Sequence, residues 1–239
     1  MQKLRPNSQR AKNAILLIWI ALVIDIISLI SSYLQYDLLQ SALNGASISM
    51  EAATANDSRE RMIAIIEIIV AIIAAVTFIQ WFRRAYYNLH QKLDYLSHPE
   101  GWAAGAWFVP IMHLYRPYQI MVELYRETKE LLSKYTSTDH RFSLSTNIIG
   151  VWWAIWIITN ILGNIVFRLS LRAETADEFL RATTISMVHG VFSIPLAFLA
   201  VKVIKDYSKV EPTLLELNDD DPFPDFGKPV VDDDVPPTY

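Results

Sequence analysis

Four long apolar blocks constrain this chain more than any other feature of its sequence. They occupy residues 14–34, 62–82, 148–169 and 185–204. Each is close to the ~20 apolar residues that a helix needs to cross the hydrocarbon core of a bilayer. A soluble helical bundle would need a polar face on each helix, and these blocks have almost none. The pattern therefore predicts an all-α membrane protein with four transmembrane helices, formed by residues 14–210.

The basic residues predict how these helices are oriented. Residues 1–13 carry four basic and no acidic side chains, and residues 83–147 carry eight lysines and arginines. Because basic loops are retained in the cytoplasm, we expect both termini and the central segment to be cytoplasmic. Arg168, Arg172 and Arg181 near the last outer loop oppose this bias, although acidic residues accompany them. The first block is longer than the apolar run of a signal peptide, and no clear cleavage site follows it. We therefore expect it to be retained as the first transmembrane helix.

The segment at residues 101–119 is apolar and aromatic, but it cannot form a fifth spanning helix. Pro110, Arg116 and Pro117 interrupt it, and it is shorter than a spanning helix. Irregular backbone is tolerated at membrane depth only where protein covers its polar groups. We therefore predict a re-entrant or interfacial hairpin on the cytoplasmic side, braced by the helices on either side of it.

An amphipathic helix is predicted directly after this hairpin. Pro117 suits the first turn of a helix, where its missing N–H costs nothing. Six apolar residues then share one stripe, and the charged residues lie largely opposite: Ile120, Met121, Leu124, Leu131, Leu132 and Tyr135. The helix would lie on the cytoplasmic membrane surface or on a partner protein, or pack on this protein's own cytoplasmic face. Hairpin and surface helix together take up residues 101–135.

The two ends of the chain differ in charge. Residues 211–239 contain nine acidic residues, one lysine and several prolines, so they are predicted to be a disordered acidic tail. This tail is either a docking motif or a solvated spacer. The remainder of the chain is mildly basic without a concentrated basic face, which argues against nucleic-acid binding. The absence of cysteine excludes a disulfide framework, thiol catalysis and cysteine metal sites.

Polar residues within the apolar blocks are candidates for function, because ionisable groups are costly in lipid. A rise of ~1.5 Å per residue places one or more from each helix in the outer half of the membrane: Asp25, Glu67, Asn160, Asn164 and His189. They would form either a hydrogen-bonded network that holds the helices together or a proton or cation site. The spacings typical of metal ligands are absent, so we predict no metal site, and no motif for nucleophilic catalysis is present.

A second group of candidates combines arginines with aromatic residues at the membrane interface. It consists of Arg83, Arg84, Trp102, Trp107, His113, Tyr115, Arg116 and Tyr118. Such residues could hold a lipid phosphate, a flat ligand such as a quinone, or a partner. The alternative is ordinary interfacial anchoring by tryptophan, tyrosine and arginine.

Three strings of sequence resemble a known family. They are WFRRAYYNL at residues 81–89, GWAAGAWFVPIMHLYRPYQIMVELY at 101–125, and WWAIWIITNILGNI at 152–165. Together they resemble an uncharacterised bacterial integral membrane family, domain of unknown function 4328, over about residues 59–209. The resemblance implies a bacterial envelope protein with this helix count and a shared central segment. It implies no activity, and the acidic tail lies outside it.

These features lead us to expect a multi-pass protein of the bacterial inner membrane that acts as a non-catalytic interaction or accessory subunit. Its expected partners are the lipid bilayer and either another protein or a second copy of the chain. A small ion- or proton-coupled transporter or channel is the alternative, followed by an intramembrane lipid- or quinone-binding protein or enzyme. Transport predicts a water-filled route to Asp25 and Glu67, whereas a scaffold predicts that the two acids are sealed and paired. The sequence specifies no cofactor.

Overall fold

The computed structural model describes residues 4–135 and 144–216, and this part of the chain is helical without strands. Six α-helices follow one another, and one 3-10 turn, Met112–Leu114, precedes the fourth. The helices are α1 (Ser8–Leu43), α2 (Met50–His90), α3 (Trp102–Gly105), α4 (Arg116–Tyr135), α5 (Thr146–Ser170) and α6 (Ala176–Glu216). The predicted all-α class is therefore confirmed.

Four of these helices, α1, α2, α5 and α6, are long and apolar enough to cross a membrane. Their outward surfaces carry large aliphatic side chains, such as Ile65, Ile68 and Ile72 of α2, which are more than half exposed. A continuous apolar surface of this kind is stable in lipid rather than in water. These helices suggest a multi-pass membrane protein whose outer helix faces are apolar enough to contact lipid.

The long helices extend beyond the apolar blocks. Ser49 caps α2 by accepting a hydrogen bond from the backbone N–H of Ala52 at 3.1 Å, so α2 begins at Met50. The connection between α1 and α2 is therefore short. At the other end of the chain, α6 continues through residues 211–216, which the sequence analysis assigns to the acidic tail. Glu211 is buried there. The rest of the predicted disordered tail, residues 217–239, lies outside the described residues.

Helix α4 packs on its own chain rather than leaving its apolar face free. Ile120, Met121, Leu124 and Leu132 are fully buried in the core cluster. The Tyr125 hydroxyl donates a hydrogen bond to a backbone carbonyl of α6, and burial raises the pKa of Tyr125 well above its usual value. Of the three placements open to this helix, the structure has the one on the protein's own helices. We refer to this part of the bundle, with the N-terminal end of α1 and the C-terminal ends of α2 and α6, as the α4 end.

A buried carboxylate ties α4 to α2. The Tyr86 hydroxyl donates to Glu123 Oε2 at 2.6 Å, and the backbone N–H of Ser97 donates to Glu123 Oε1 at 2.8 Å. Glu123 is only 5% exposed. Burial alone would raise the pKa of Glu123, but the hydrogen bonds from Tyr86 and Ser97 outweigh it and hold this pKa below its ordinary value. The charged form of Glu123 therefore stabilises the fold.

Replacing Tyr86 with phenylalanine should lower the free energy of unfolding by about 1–3 kcal/mol at neutral pH, because a buried carboxylate loses a donor. The ionised Glu123 contributes fully to the free energy of unfolding above its ordinary pKa of 4.5. This contribution is lost as the pH falls through the lower pKa that Glu123 has in the folded state. The difference between the two proteins should therefore shrink in acid, as measured by unfolding in detergent across this pH range.

Tyr95 provides the matched control, since its hydroxyl donates to Glu127 at 3.3 Å but its side chain is 60% exposed. Tyr95→Phe should change the unfolding free energy by less than about 0.5 kcal/mol. Equal losses for the two variants at every pH would contradict this account of Glu123.

Candidate functional site

A cavity of about 310 Å³ lies between α1, α2, α5 and α6. Several alanines line it, among them Ala74, Ala197 and Ala200, and their short side chains leave the space open. Asp25 and Ser193 are the lining residues that carry side-chain oxygens. The cavity thus joins an apolar interior to one hydrogen-bonding position, and we call it the Asp25 cavity.

Tryptophans form the aromatic wall of the Asp25 cavity. Trp152 and Trp156 of α5 line it together with Trp107 of the predicted hairpin. The ring centroid of Trp107 lies 5.7 Å from that of Trp156 and 5.8 Å from that of Phe78 on α2. These edge-on contacts bring the hairpin, α2 and α5 together at the cavity.

Asp25 and Glu67 form an acid pair across α1 and α2. The two carboxyl groups are close enough to interact electrostatically, and Asp25 also lies beside Ser193 of α6. The Ser28 hydroxyl donates to Glu67 Oε2 at 3.4 Å, which joins α1 to α2 directly. His189 is close enough to Asp25 to interact with it electrostatically.

The five-residue polar layer expected from the sequence is therefore only partly assembled. Asn160 Nδ2 donates to the carbonyl of Trp156 at 2.7 Å, and Asn164 Nδ2 donates to the carbonyl of Asn160 at 2.8 Å. Among the hydrogen bonds of the described residues, both amides bond within α5 and neither reaches the acid pair. His189 of α6 packs closely against Gly163 of α5. If Gly163 carried a Cβ atom, that atom would lie 3.6 Å from His189 Nε2.

Sequence reasoning missed a second polar cluster between α1 and α2. The Ser31 hydroxyl donates to Glu60, and Arg59 Nε donates to Ser31 Oγ at 2.8 Å. Arg59 Nη2 also donates to Asn56 Oδ1 at 2.6 Å. Asn56, Arg59 and Glu60 lie before the second apolar block, whereas Ser31 lies within the first. Their pairing across two helices depends on packing that a linear pattern does not reveal.

Trp107, His113 and Tyr118 of the predicted interfacial patch pack on aromatic rings of α5. The rings of His113 and Trp156 are 6.4 Å apart, and those of Tyr118 and Trp153 are 6.1 Å apart. Trp153 and Trp156 stack on each other at 4.5 Å. This part of the patch therefore contributes to the wall between the hairpin and the bundle.

The remaining members occupy other positions at the α4 end. The Arg116 guanidinium lies over the ring of Tyr115 at 5.6 Å and approaches His98 Nδ1 at 3.3 Å, while Trp102 packs partly buried against the core. Arg83 and Arg84 lie apart from these aromatics, beside arginines from the N-terminal segment that the sequence analysis did not group with them.

A family model describing a domain of unknown function (DUF4328) matches residues 44–209, well over half of the chain. The chain belongs to the DUF4328 family. This confirms the resemblance carried by the three sequence strings. The DUF4328 match includes Glu67, the tryptophan wall and His189, whereas Asp25 lies before the matched residues. No curated protein and no solved structure matches the chain.

Replacing Asp25 with alanine should lower the free energy of unfolding by about 1–3 kcal/mol, because Glu67 and Ser193 lose a buried partner. Asp25→Asn retains hydrogen bonding and should have a smaller effect. Thermal unfolding in detergent measures both. Asn164→Ala is the control, since Asn164 is exposed and bonds within its own helix, and its effect should stay within about 0.5 kcal/mol. An Asp25→Ala protein as stable as the unchanged chain would disprove the packing role.

Proposed function

We propose that this DUF4328 protein is a non-catalytic binding subunit of the bacterial inner membrane, and that the Asp25 cavity holds a small amphipathic ligand. The observation that carries the proposal is the cavity itself, about 310 Å³ of largely apolar space with one polar position. Small-molecule sites in proteins have this character, with hydrophobic and aromatic walls and a few placed polar groups. An empty apolar cavity lowers stability, so a ligand that fills it would stabilise the bundle.

The lining favours a particular class of ligand. The tryptophan rings offer faces and edges to a planar or cationic group, and the alanines accommodate an apolar body. Asp25 and Ser193 would bond a head group that donates a hydrogen bond or carries positive charge. A lipid-like or quinone-like molecule with one such head group fits this combination.

The contacts of the acid pair favour binding over conduction. A channel or carrier requires a hydrated route to Asp25 and Glu67. The cavity that reaches Asp25 has mainly apolar walls, and Glu67 accepts a hydrogen bond from Ser28 of the neighbouring helix. Acids held in this apolar setting suit a structural and ligand-recognising role. Ion- or proton-coupled transport remains the second candidate, because one acid of the pair faces the cavity.

We place the α4 end at the cytoplasmic face, with residues 101–115 as an interfacial or re-entrant hairpin. The excess of basic residues at this end supports the orientation. Phe108 and Ile111 support the hairpin placement, since they are 75% and 73% exposed at its tip, where lipid or a protein partner would cover them. Ile111 has a positive φ of 67°, which sharpens the turn after Pro110.

Single cysteines test this topology cleanly because the natural chain has none. Ser47 lies exposed in the α1–α2 connection, and Asp94 and Gln119 lie exposed on either side of the hairpin. A membrane-impermeant thiol reagent should label Ser47→Cys from outside intact cells and label Asp94→Cys and Gln119→Cys only after the membrane is opened. Labelling of Asp94→Cys and Gln119→Cys from opposite sides would mean that the segment crosses the membrane.

A cavity-filling substitution tests the binding role. Native mass spectrometry of protein purified in mild detergent should show a bound small molecule, and Ala197→Leu should lose it because the larger side chain occupies the cavity. Ala64→Leu, on an exposed face of α2, is the matched control and should retain the ligand. Removing the ligand should lower the unfolding temperature of the unchanged chain and of Ala64→Leu, but not that of Ala197→Leu. An identical bound species in both variants, or none in the unchanged protein, would refute the proposal.

A further inference from the structure

We propose that four arginines at the α4 end form a site for a phosphate group presented by an anionic lipid. Arg5, Arg10, Arg83 and Arg84 line a second cavity of about 270 Å³ together with Tyr87 and Glu100. This arginine site shares no lining residue with the Asp25 cavity. It therefore represents a binding function beyond the proposed amphipathic ligand.

The N-terminal segment is fixed to α2 by buried amides, which sets the position of Arg5. The backbone N–H of Arg5 donates to Asn88 Oδ1 at 3.1 Å, and Asn88 Nδ2 donates to the carbonyl of Arg5 at 2.9 Å. Asn7 Nδ2 donates to the carbonyl of Trp81 at 3.2 Å. Both asparagines are almost fully buried. The two halves of the arginine site, distant in sequence, are thus held together by the fold rather than by chance contact of flexible side chains.

Two of the four guanidinium groups, those of Arg5 and Arg84, converge on one aromatic ring. The Cζ atom of Arg5 lies 5.0 Å from the centroid of Tyr87, and the Cζ atom of Arg84 lies 5.6 Å from it. Arg10 Nη1 donates to the carbonyl of Gln80 at 3.1 Å. Arg5 and Arg10 are near enough to Arg84 to repel it. Like charges gathered at a partly buried position are stabilised when an anion lies between them.

The carboxylates nearby do not neutralise this charge. Arg83 Nε donates to Glu100 Oε1 at 3.3 Å. Among the ion pairs of the described residues, the other three arginines of the site take part in none. Glu211 attracts Arg84 electrostatically, but its Oε1 atom already accepts a hydrogen bond from Asn88 Nδ2 at 2.9 Å. Guanidinium donors of Arg5, Arg10 and Arg84 therefore remain available for an anionic ligand.

The position and chemistry of the arginine site favour a lipid phosphate. A guanidinium presents a planar fork of N–H donors that matches phosphate oxygens. Arg83 and Arg84 directly follow the apolar block of α2, and Arg5 and Arg10 lie in the short basic segment before that of α1. Residues at the ends of spanning segments lie at headgroup level, where anionic lipids attract basic clusters. A soluble phosphate ester has the same recognition chemistry, so the experiment must separate the two sources.

Titration of the full chain in detergent with short-chain phosphatidylglycerol, followed by thermal shift, tests the proposal. Phosphatidylcholine of equal chain length and glycerol 1-phosphate are titrated in parallel. The double variant Arg5→Gln, Arg84→Gln should bind phosphatidylglycerol at least about ten-fold more weakly, because two charge-assisted contacts are lost. Arg126→Gln combined with Lys205→Gln removes the same charge from exposed positions at the same end of the bundle and should bind as the unchanged chain does. Arg5→Gln alone, which keeps the backbone bonds to Asn88, is used if the double variant fails to fold.

Stronger binding of phosphatidylglycerol than of either competitor, lost only in the arginine-site variants, supports the proposal. Equal affinity for all variants, or for phosphatidylglycerol and phosphatidylcholine, overturns it. Glycerol 1-phosphate that binds as tightly as phosphatidylglycerol overturns the lipid source and reassigns the site to soluble phosphate esters.

Discussion

Polar groups on a lipid-facing helix find no water, so each must bond within the protein. This constraint organises the bundle. Asn160 meets it within its own helix, whereas Glu67 of α2 accepts a hydrogen bond from Ser28 of α1. Only the second solution joins helices, and it lies near Asp25 and its cavity. The contact that joins α1 to α2 therefore lies beside the polar position available to a ligand.

The α4 end is stabilised differently, because buried aromatic side chains form a packed core there. Trp81, Tyr86, Tyr125 and Tyr207 are fully buried there, and Glu123 is held by donors from two segments. This core keeps residues 101–115 and the N-terminal segment in place. The two candidate sites depend on it, since Trp107 comes from residues 101–115 and Arg5 from the N-terminal segment.

The spanning helices and the family could be predicted from the sequence because apolar length and local strings are properties of contiguous residues. The membership of each site could not. Depth along a helix placed Asn160 level with Asp25, but the rotation of α5 decides which way its side chain turns, and rotation is set by packing. The position of Arg5 beside Arg84 likewise depends on the hydrogen bonds of Asn88, and nothing in the sequence around Asn88 indicates this role.

Asn88 has a consequence that reaches beyond the arginine site. Its one side chain bonds the backbone of Arg5 and the carboxylate of Glu211, so the beginning of α1 and the end of α6 meet at a single amide. The segment before α1 and the last turns of α6 are therefore tied to one residue of α2, so neither can be displaced without breaking a hydrogen bond to Asn88.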